Sequence, residues 1–98
     1  MKLALRYDMR RAPFAVDDRA ALYQAALEQC RWADSLGFDV VSLSEHHGAD
    51  DGYCGATTVL GAAIAGRTSR MTISLRALLL PLHDPVRLAE ELAVLDLV

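Results

Sequence analysis

The order in which apolar runs follow one another is the feature of this chain that most restricts its fold. Three short runs typical of β-strands alternate with three longer segments whose apolar residues recur at helical spacing. The strands begin roughly every 35 residues, and strands joined through a helix pair in parallel. The predicted strands are residues 2–8, 39–44 and 71–80, and the predicted helices follow Asp18, cover residues 56–67 and follow Asp84. The sequence therefore predicts an α/β fold, a parallel sheet with outer helices.

Capping residues support the helix boundaries. Asp17 and Asp18 are candidates for the N-cap of the first helix, and Gly37 is the type of residue that ends one. Asp84 followed by Pro85 is a start signal for the third helix. The second helix contains two glycines, each of which costs about 1 kcal/mol relative to alanine. We therefore expect that helix to pack tightly against a neighbour.

The composition excludes several classes of protein. With 53% hydrophobic and 23% charged residues, the chain resembles a globular domain and not a disordered one. A net charge of -3 without a basic block gives no sign of nucleic-acid binding. No apolar run approaches the roughly 20 residues that cross a bilayer, and the first residues indicate a strand, not a signal peptide. The spacing of Cys30 and Cys54 suits neither zinc nor a disulfide framework, so we expect reduced thiols in a cytoplasmic protein, with Cys30 in the core.

The second predicted strand ends abruptly in Glu45-His46-His47. Both a doubly wound sheet and a (β/α)8 barrel fit the order of elements, but no Gly-x-Gly-x-x-Gly turn follows the first or second strand, which favours the barrel. Barrels carry catalytic groups at the C-terminal ends of their strands. His46 is therefore the candidate acid–base group, and a hydrogen-bonded surface or capping histidine is the alternative. Adjacent side chains in a strand point apart, so these three residues are not expected to bind a metal.

Alternation along the strands predicts which face each side chain occupies. Val41, Leu43 and Glu45 share one face of the second strand, and we expect this largely apolar face to contact the helices. The small polar residues of the other face would then line the barrel interior beneath His46. The inward-facing set predicted in this way is Ala4, Arg6, Asp8, Ser42, Ser44, His46, Thr72, Ser74 and Arg76.

Two arginines belong to that inward-facing set, with Asp8 as the evident counter-charge. Buried guanidinium groups are unfavourable unless they are paired with anions. The sequence therefore predicts an anionic group of a ligand beside Arg6 and Arg76. The alternative is that Asp8 and an acid from elsewhere neutralise both.

Three segments, "GFDVVSLSEHH", "DGY" and "LLLPLHDPVRLAEELAVLDLV", resemble the amino-terminal third of the luciferase-like monooxygenase family. These are flavin- or deazaflavin-dependent (β/α)8 enzymes related to bacterial luciferase, and the resemblance covers nearly the whole chain. It implies that residues 1–98 are an amino-terminal fragment of a single luciferase-like barrel domain, the first three β/α units of a (β/α)8 TIM-type barrel. We expect the fragment alone to be neither a stable folded monomer nor active.

The resemblance also implies a function. It suggests an oxidoreductase that uses reduced flavin, as FMN, and oxygen for monooxygenation of a small organic substrate. Hydride transfer with the deazaflavin coenzyme F-420 and a non-catalytic, dimerising fragment remain open alternatives. A homodimer through the second and third helices is implied as well. Arg87 and Glu90 match the family's Pro-x-Arg-x-x-Glu element and are expected to form an internal ion pair.

By position, His46 matches the family histidine that lies near the flavin ring or the substrate. Arg76–Ala77 matches the place of a non-proline cis peptide beneath the flavin, although the family usually has a small residue where this chain has Arg76. Candidate cofactor-binding residues are Ser44, His46, Arg76 and Ala77. Candidate substrate-binding or supporting residues are Glu45, His47, Tyr53 and Arg6.

Overall fold

Three parallel strands in the order β1-β2-β3 form the centre of the structure. The computed structural model describes residues 1–98. Its elements are β1 Ala4–Tyr7, α1 Arg19–Ser35, β2 Val40–Ser44, α2 Thr57–Ala65, β3 Thr72–Arg76, a 3-10 turn at Leu80–Leu82 and α3 Pro85–Leu97. The predicted alternation of parallel strands and helices is confirmed. No helix is both long enough and apolar enough to cross a membrane.

The predicted helix boundaries are formed by the expected capping residues. The Asp18 carboxylate accepts a hydrogen bond from the Ala21 amide at 2.7 Å, and the Asp84 carboxylate accepts one from the Arg87 amide at 2.9 Å. Gly37 follows Leu36, the C-terminal cap of the first helix, with φ +86°, the left-handed conformation that glycine adopts without strain.

All three predicted strands and the second predicted helix are shorter in the structure. The first strand covers Ala4–Tyr7 and not residues 2–8, and the second covers Val40–Ser44 and not residues 39–44. The third strand was expected over residues 71–80, but it ends at Arg76 because Ala77 takes a left-handed φ of 59° and turns the chain out of the sheet. The apolar residues that follow belong to a loop and the 3-10 turn. The second helix covers Thr57–Ala65 and not residues 56–67, since Gly66 forms its C-terminal cap.

The core lies between the sheet and the helices. Its largest fully buried side chains are Leu43, Ile64, Val41 and Cys30, which confirms the core position of Cys30. Gly61 of α2 faces β3 and α3. A Cβ atom there would lie 3.4 Å from the Ile73 side chain and 3.5 Å from that of Leu95, which is ordinary van der Waals contact.

The strands divide into two faces as the alternation predicts. The helix-facing residues packed in or against the core are Leu5, Tyr7, Val41, Leu43, Ile73 and Leu75. The strand register aligns Arg6 with Ser42, Ser42 with Ser74, and Ser44 with Arg76 on the other face, which we call the open face. Its outer positions, including Arg6 and Arg76, are exposed.

One predicted contact in α3 is wrong. Arg87 donates to Glu91 at 3.0 Å and not to Glu90, and its side chain is 81% exposed. Positions three and four residues apart are both neighbours on a helix, and here the guanidinium pairs with the glutamate four residues away. The pair is therefore a surface contact within one helix and does not hold α3 to its neighbours.

Candidate functional site

All three strands are followed by a residue in the left-handed conformation. These residues are Met9 after β1, Gly48 after β2 and Ala77 after β3, with φ values of 63°, 67° and 59°. Side chains other than glycine adopt such values rarely, and strained positions cluster at functional sites. The three turns lie at the C-terminal edge of one parallel sheet, the edge at which α/β proteins bind ligands.

The turn after β3 differs in one respect from the expectation based on the resemblance. All peptide bonds of the structure are trans, including the one between Arg76 and Ala77. The left-handed φ of Ala77 makes the bend instead. A cis bond at this position in a complete barrel stays a prediction.

Glu45 has no exposed side-chain surface. Its Oε1 atom accepts a hydrogen bond from His47 Nε2 at 2.6 Å. Its Oε2 atom accepts one from the Leu79 amide at 3.1 Å. His83 Nε2 lies 3.1 and 3.2 Å from the two oxygens. Because a carboxylate only accepts, both imidazoles donate.

These contacts determine the charge of Glu45. Burial alone would raise the pKa of this carboxyl, but the hydrogen bonds from His47, the Leu79 amide and His83, with the charge of His83, outweigh burial and lower it. Glu45 is therefore held as a carboxylate. It joins the end of β2 to the loop after β3, and a role in support of substrate binding stays a prediction. No group of three or more His, Cys, Asp or Glu side chains is placed to hold a metal ion.

His46 faces away from this buried cluster and is exposed. Its amide donates to the Cys54 carbonyl at 3.1 Å, which fixes the backbone at the end of the strand. The edge of its ring meets Tyr53, with ring centroids 5.4 Å apart and planes at 64°. Arg10 lies over Tyr53, 5.5 Å from the ring centroid, at cation–π distance. The structure thus brings together His46 and Tyr53, two of the candidate residues.

A cleft of about 290 Å³ opens beside His46. His46, Tyr53 and Arg10 line it, and Glu45 and Asp51 contribute to its wall. Asp51 also shapes the loop, since its side chain accepts a hydrogen bond from the Tyr53 amide at 3.2 Å. An imidazole and a phenol therefore lie beside one small opening, where His46 could exchange a proton with a bound molecule, while the Arg10 guanidinium there is paired with Asp8.

The remaining predicted residues lie on the open face. Ser44 is 3% exposed, and its Oγ atom has no hydrogen-bond partner. Arg76 is its partner in the strand register, and Ala77 follows. Arg6 lies on β1, where it aligns with Ser42 of β2, and it does not line the cleft beside His46. The predicted residues thus form two groups, one around His46 and one around Ser44.

Sequence reasoning missed His83 and Arg10 as parts of this site. His83 meets Glu45 across 38 positions of sequence, and its local context indicates only the start of a helix. A usable signal was present, however. The loops that follow adjacent parallel strands share one edge of the sheet, so a histidine in the loop after β3 belongs beside the end of β2.

Comparison with known proteins agrees with this architecture. A family model described as luciferase-like monooxygenase matches residues 10–98. The alkanal monooxygenase alpha chain of Photorhabdus luminescens is 38% identical over 66 residues, which are 67% of this chain and 18% of that protein. The 4-hydroxyprotoasukamycin monooxygenase of Streptomyces nodosus subsp. asukaensis is 30% identical over 84 residues, 86% of this chain and 22% of that protein.

Two solved structures have the same arrangement of strands and helices. The oxygenating constituent of 3,6-diketocamphane monooxygenase from the CAM plasmid of Pseudomonas putida, a type II Baeyer-Villiger monooxygenase in complex with FMN, matches with a TM-score of 0.84 and 25% identity. That match covers 97% of this chain and 26% of the other. Apo-MsnO8 matches with a TM-score of 0.79 and 29% identity, over 92% of this chain and 27% of the other.

The chain thus spans between 18% and 27% of the length of these relatives. The matched part is the beginning of a TIM-type barrel, with strands parallel and helices outside, as found here. Because the family model covers nearly all of these residues, the chain belongs to the luciferase-like monooxygenase family.

Proposed function

We propose that the whole protein to which these residues contribute is a flavin-dependent monooxygenase that uses reduced FMN and oxygen on a small organic substrate. The observation that carries this proposal is the position of His46. It is exposed at the C-terminal edge of the parallel sheet, beside a cleft, in a chain of this family. An FMN-bound relative with the same arrangement supports FMN as the flavin.

The open face of the sheet fits a flavin. Flavin rings present carbonyl oxygens, and FMN adds a phosphate, so hydrogen-bond donors and cations are the complementary groups. Ser44 offers a buried hydroxyl without a partner, and Arg76 offers a guanidinium that takes part in no salt bridge. Ser44, His46, Arg76 and Ala77 would hold the flavin. In its reduced form the flavin supplies the electrons that activate oxygen.

His46 would move the proton in this reaction. Imidazole is the side chain best suited to donate and accept protons near neutral pH. The backbone bond to Cys54 and the ring contact with Tyr53 limit the positions that His46 can take. Arg10 and Asp51 in turn hold Tyr53 through its ring and its amide. Such a chain of contacts places the imidazole before a substrate arrives, which is the requirement for efficient proton transfer.

The test uses the complete protein with His46→Ala, and with Asp50→Asn as the matched control. Asp50 is an exposed residue of the same loop. We expect turnover with reduced FMN to fall by about 10²- to 10⁴-fold in the histidine variant, while FMN affinity and the thermal midpoint stay close to wild type. The control should keep full turnover.

Three outcomes would contradict the proposal in different ways. Unchanged turnover of His46→Ala with bound FMN would remove this histidine from the reaction. Binding of coenzyme F-420 in preference to FMN would favour hydride transfer to or from a deazaflavin. A folded complete protein that binds neither cofactor would favour a non-catalytic subunit.

We further propose that α2 and α3 meet a second copy of the protein. The two helices pack together and leave apolar side chains uncovered on their outer surface, among them Val59, Val86 and Val94. Sedimentation of the complete protein with Val59→Glu or Val94→Glu tests this proposal. A dimer that is unaffected by both substitutions would place the interface elsewhere.

A further inference from the structure

Two cations on the open face lack a counter-charge. Neither Arg6 nor Arg76 takes part in any salt bridge of the structure. Both side chains are exposed, and both stand on the face that becomes the barrel interior in relatives of this fold. Guanidinium groups in an enclosed interior are unfavourable unless anions pair with them. Where a complete barrel encloses this face, the two guanidiniums would need an anion that these three strands do not provide.

Asp8, the acid that the sequence offered for this role, is already bound to another residue. Its carboxylate accepts hydrogen bonds from Arg10 Nε at 3.0 Å and Arg10 Nη2 at 2.8 Å, and from the Arg10 amide at 3.0 Å. The hydrogen bond from Arg10 is the main reason why the pKa of Asp8 is lowered, and the charge of Arg6 is a minor one. Asp8 thus pairs with Arg10 and makes no hydrogen bond to Arg6.

Ser44 supplies an independent sign of a missing ligand. It is 3% exposed, and its hydroxyl has no hydrogen-bond partner. With Leu43 in the core, alternation turns Ser44 to the open face, directly opposite Arg76 in the register. Buried polar groups are almost always satisfied, so an unpartnered hydroxyl at this place indicates an acceptor or donor that binds there.

The register shows how the three residues can act together. Arg6 aligns with Ser42 on one side of β2, and Arg76 aligns with Ser44 on the other. From a strand spacing of about 4.8 Å and a rise of about 3.3 Å per residue, the two arginine Cα atoms lie about 12 Å apart, on either side of Ser42 and Ser44. A group bound over β2 would meet a guanidinium from each flank and would lie above Ser44, whose hydroxyl is enclosed by its neighbours in the present structure.

We propose that Arg6, Arg76 and Ser44 form a binding site for the carboxylate or phosphate group of a small molecule held in the barrel. Arginine suits this chemistry because its planar fork matches both oxyanions with paired hydrogen bonds. The inference deepens the proposed function, since the anion belongs either to the flavin phosphate or to an acidic substrate. Ser44 precedes the Glu45-His46 pair at the end of β2, so the proposed anion site and the cleft beside His46 adjoin the same strand.

The experiment measures binding by calorimetry to the complete protein and to its Arg76→Gln, Arg6→Gln and Ser44→Ala variants. FMN and riboflavin, which differ by the phosphate, form one pair of probes. Hexanoate and hexanamide, which differ by the charge, form the other and are tested on both flavin-loaded and flavin-free protein. Arg31→Gln is the control, since Arg31 pairs with Glu28 on the surface.

We expect each arginine variant to reduce the preference for the anionic member of one probe pair by about 10- to 100-fold, with Arg76→Lys restoring part of it. Loss of the FMN preference assigns the site to the phosphate, and loss of the hexanoate preference assigns it to an acidic substrate. If wild type prefers neither anion, or if the variants keep both preferences and lose only thermal stability, the site is overturned and an acid elsewhere in the chain pairs the arginines. If the protein binds no flavin, the proposed function is rejected. The comparison of hexanoate with hexanamide on flavin-free protein would then still test the anion site.

Discussion

Replacing Glu45 should destabilise the complete protein far more than replacing a surface carboxylate. The side chain has no exposed surface and accepts hydrogen bonds from His47, the Leu79 amide and His83. Bonds to a charged group contribute about 1.5–3 kcal/mol each, and donors left buried without a partner cost a further 1–3 kcal/mol or so. His47 is half-exposed and can turn to water, which reduces its share. We therefore expect Glu45→Ala to lower the free energy of unfolding by about 3–5 kcal/mol.

Glu45→Gln should have a smaller effect and a diagnostic pH dependence. The amide keeps one accepting oxygen but turns an NH2 group towards donors, so we expect a loss of about 1–3 kcal/mol. The folded-state pKa of Glu45 is lowered from its ordinary value of 4.5. The stability that the carboxylate contributes is therefore present above pH 4.5 and is lost as the pH falls through the lower folded value. The difference in the free energy of unfolding between wild type and Glu45→Gln should therefore shrink as the pH falls over that range.

Denaturant titrations between pH 3 and 8 or so provide the measurement, with Glu28→Gln as the control. Glu28 pairs with Arg31 on the surface, and such pairs contribute about 0–1 kcal/mol. The reasoning is refuted if Glu45→Ala and Glu28→Gln change the free energy of unfolding by similar amounts. If the difference in the free energy of unfolding between wild type and Glu45→Gln stays constant down to the lowest pH, Glu45 is not the acid-sensitive group.

Three smaller predictions follow from local geometry and apply to the complete protein. Gly37→Ala should lower the free energy of unfolding by about 1 kcal/mol because φ is +86° there, although a Cβ atom at this position would meet no atom within 4 Å. Gly66→Ala, at an ordinary φ, should be neutral or stabilising. Equal shifts of the thermal midpoint in the two variants would contradict this. Asp34 accepts a hydrogen bond from the Ser69 amide at 3.0 Å. Asp34→Ala should therefore lower the free energy of unfolding by about 2 kcal/mol and speed the hydrogen exchange of that amide. An unchanged exchange rate would count against this link. Burial, with the neighbouring Cys30 thiol, raises the pKa of Tyr7 to about 12. Subtracting the absorbance titration of Tyr7→Phe from that of wild type isolates Tyr7, and the difference should show ionisation near that pH and none near 10.

The faces of the strands could be predicted because they depend on a local rule. A period of two places Leu43 in the core and Ser44 on the opposite face, whatever the rest of the fold does. The caps at Asp18 and Asp84 follow from equally local chemistry. These features need no knowledge of distant residues, which is why they agree with the structure.

The end of β3 and the role of His83 could not be obtained in this way. The apolar run after Arg76 continues through Leu80, so hydrophobicity alone extends the strand, while the structure ends it at the left-handed Ala77. Nothing in the local sequence marks that conformation at an alanine. The hydrogen bond from His83 to Glu45 forms because two loops meet at one edge of the sheet. The spacing of residues along the sequence does not show how close those two loops lie in space.

The two adjacent residues at the end of β2 show why a strand of this kind finishes in charged and titratable side chains. Alternation turns Glu45 into the buried cluster, where it binds His47, the Leu79 amide and His83, and turns His46 the opposite way, towards the cleft and Tyr53. One residue is thus buried and fixed, and its neighbour on the same backbone is exposed to whatever binds. Because the backbone of His46 is tied to the fixed Glu45, movement of the imidazole is restricted without any contact that would block its ring nitrogens. A histidine placed in this way combines rigidity with access, and a proton-transfer group requires both.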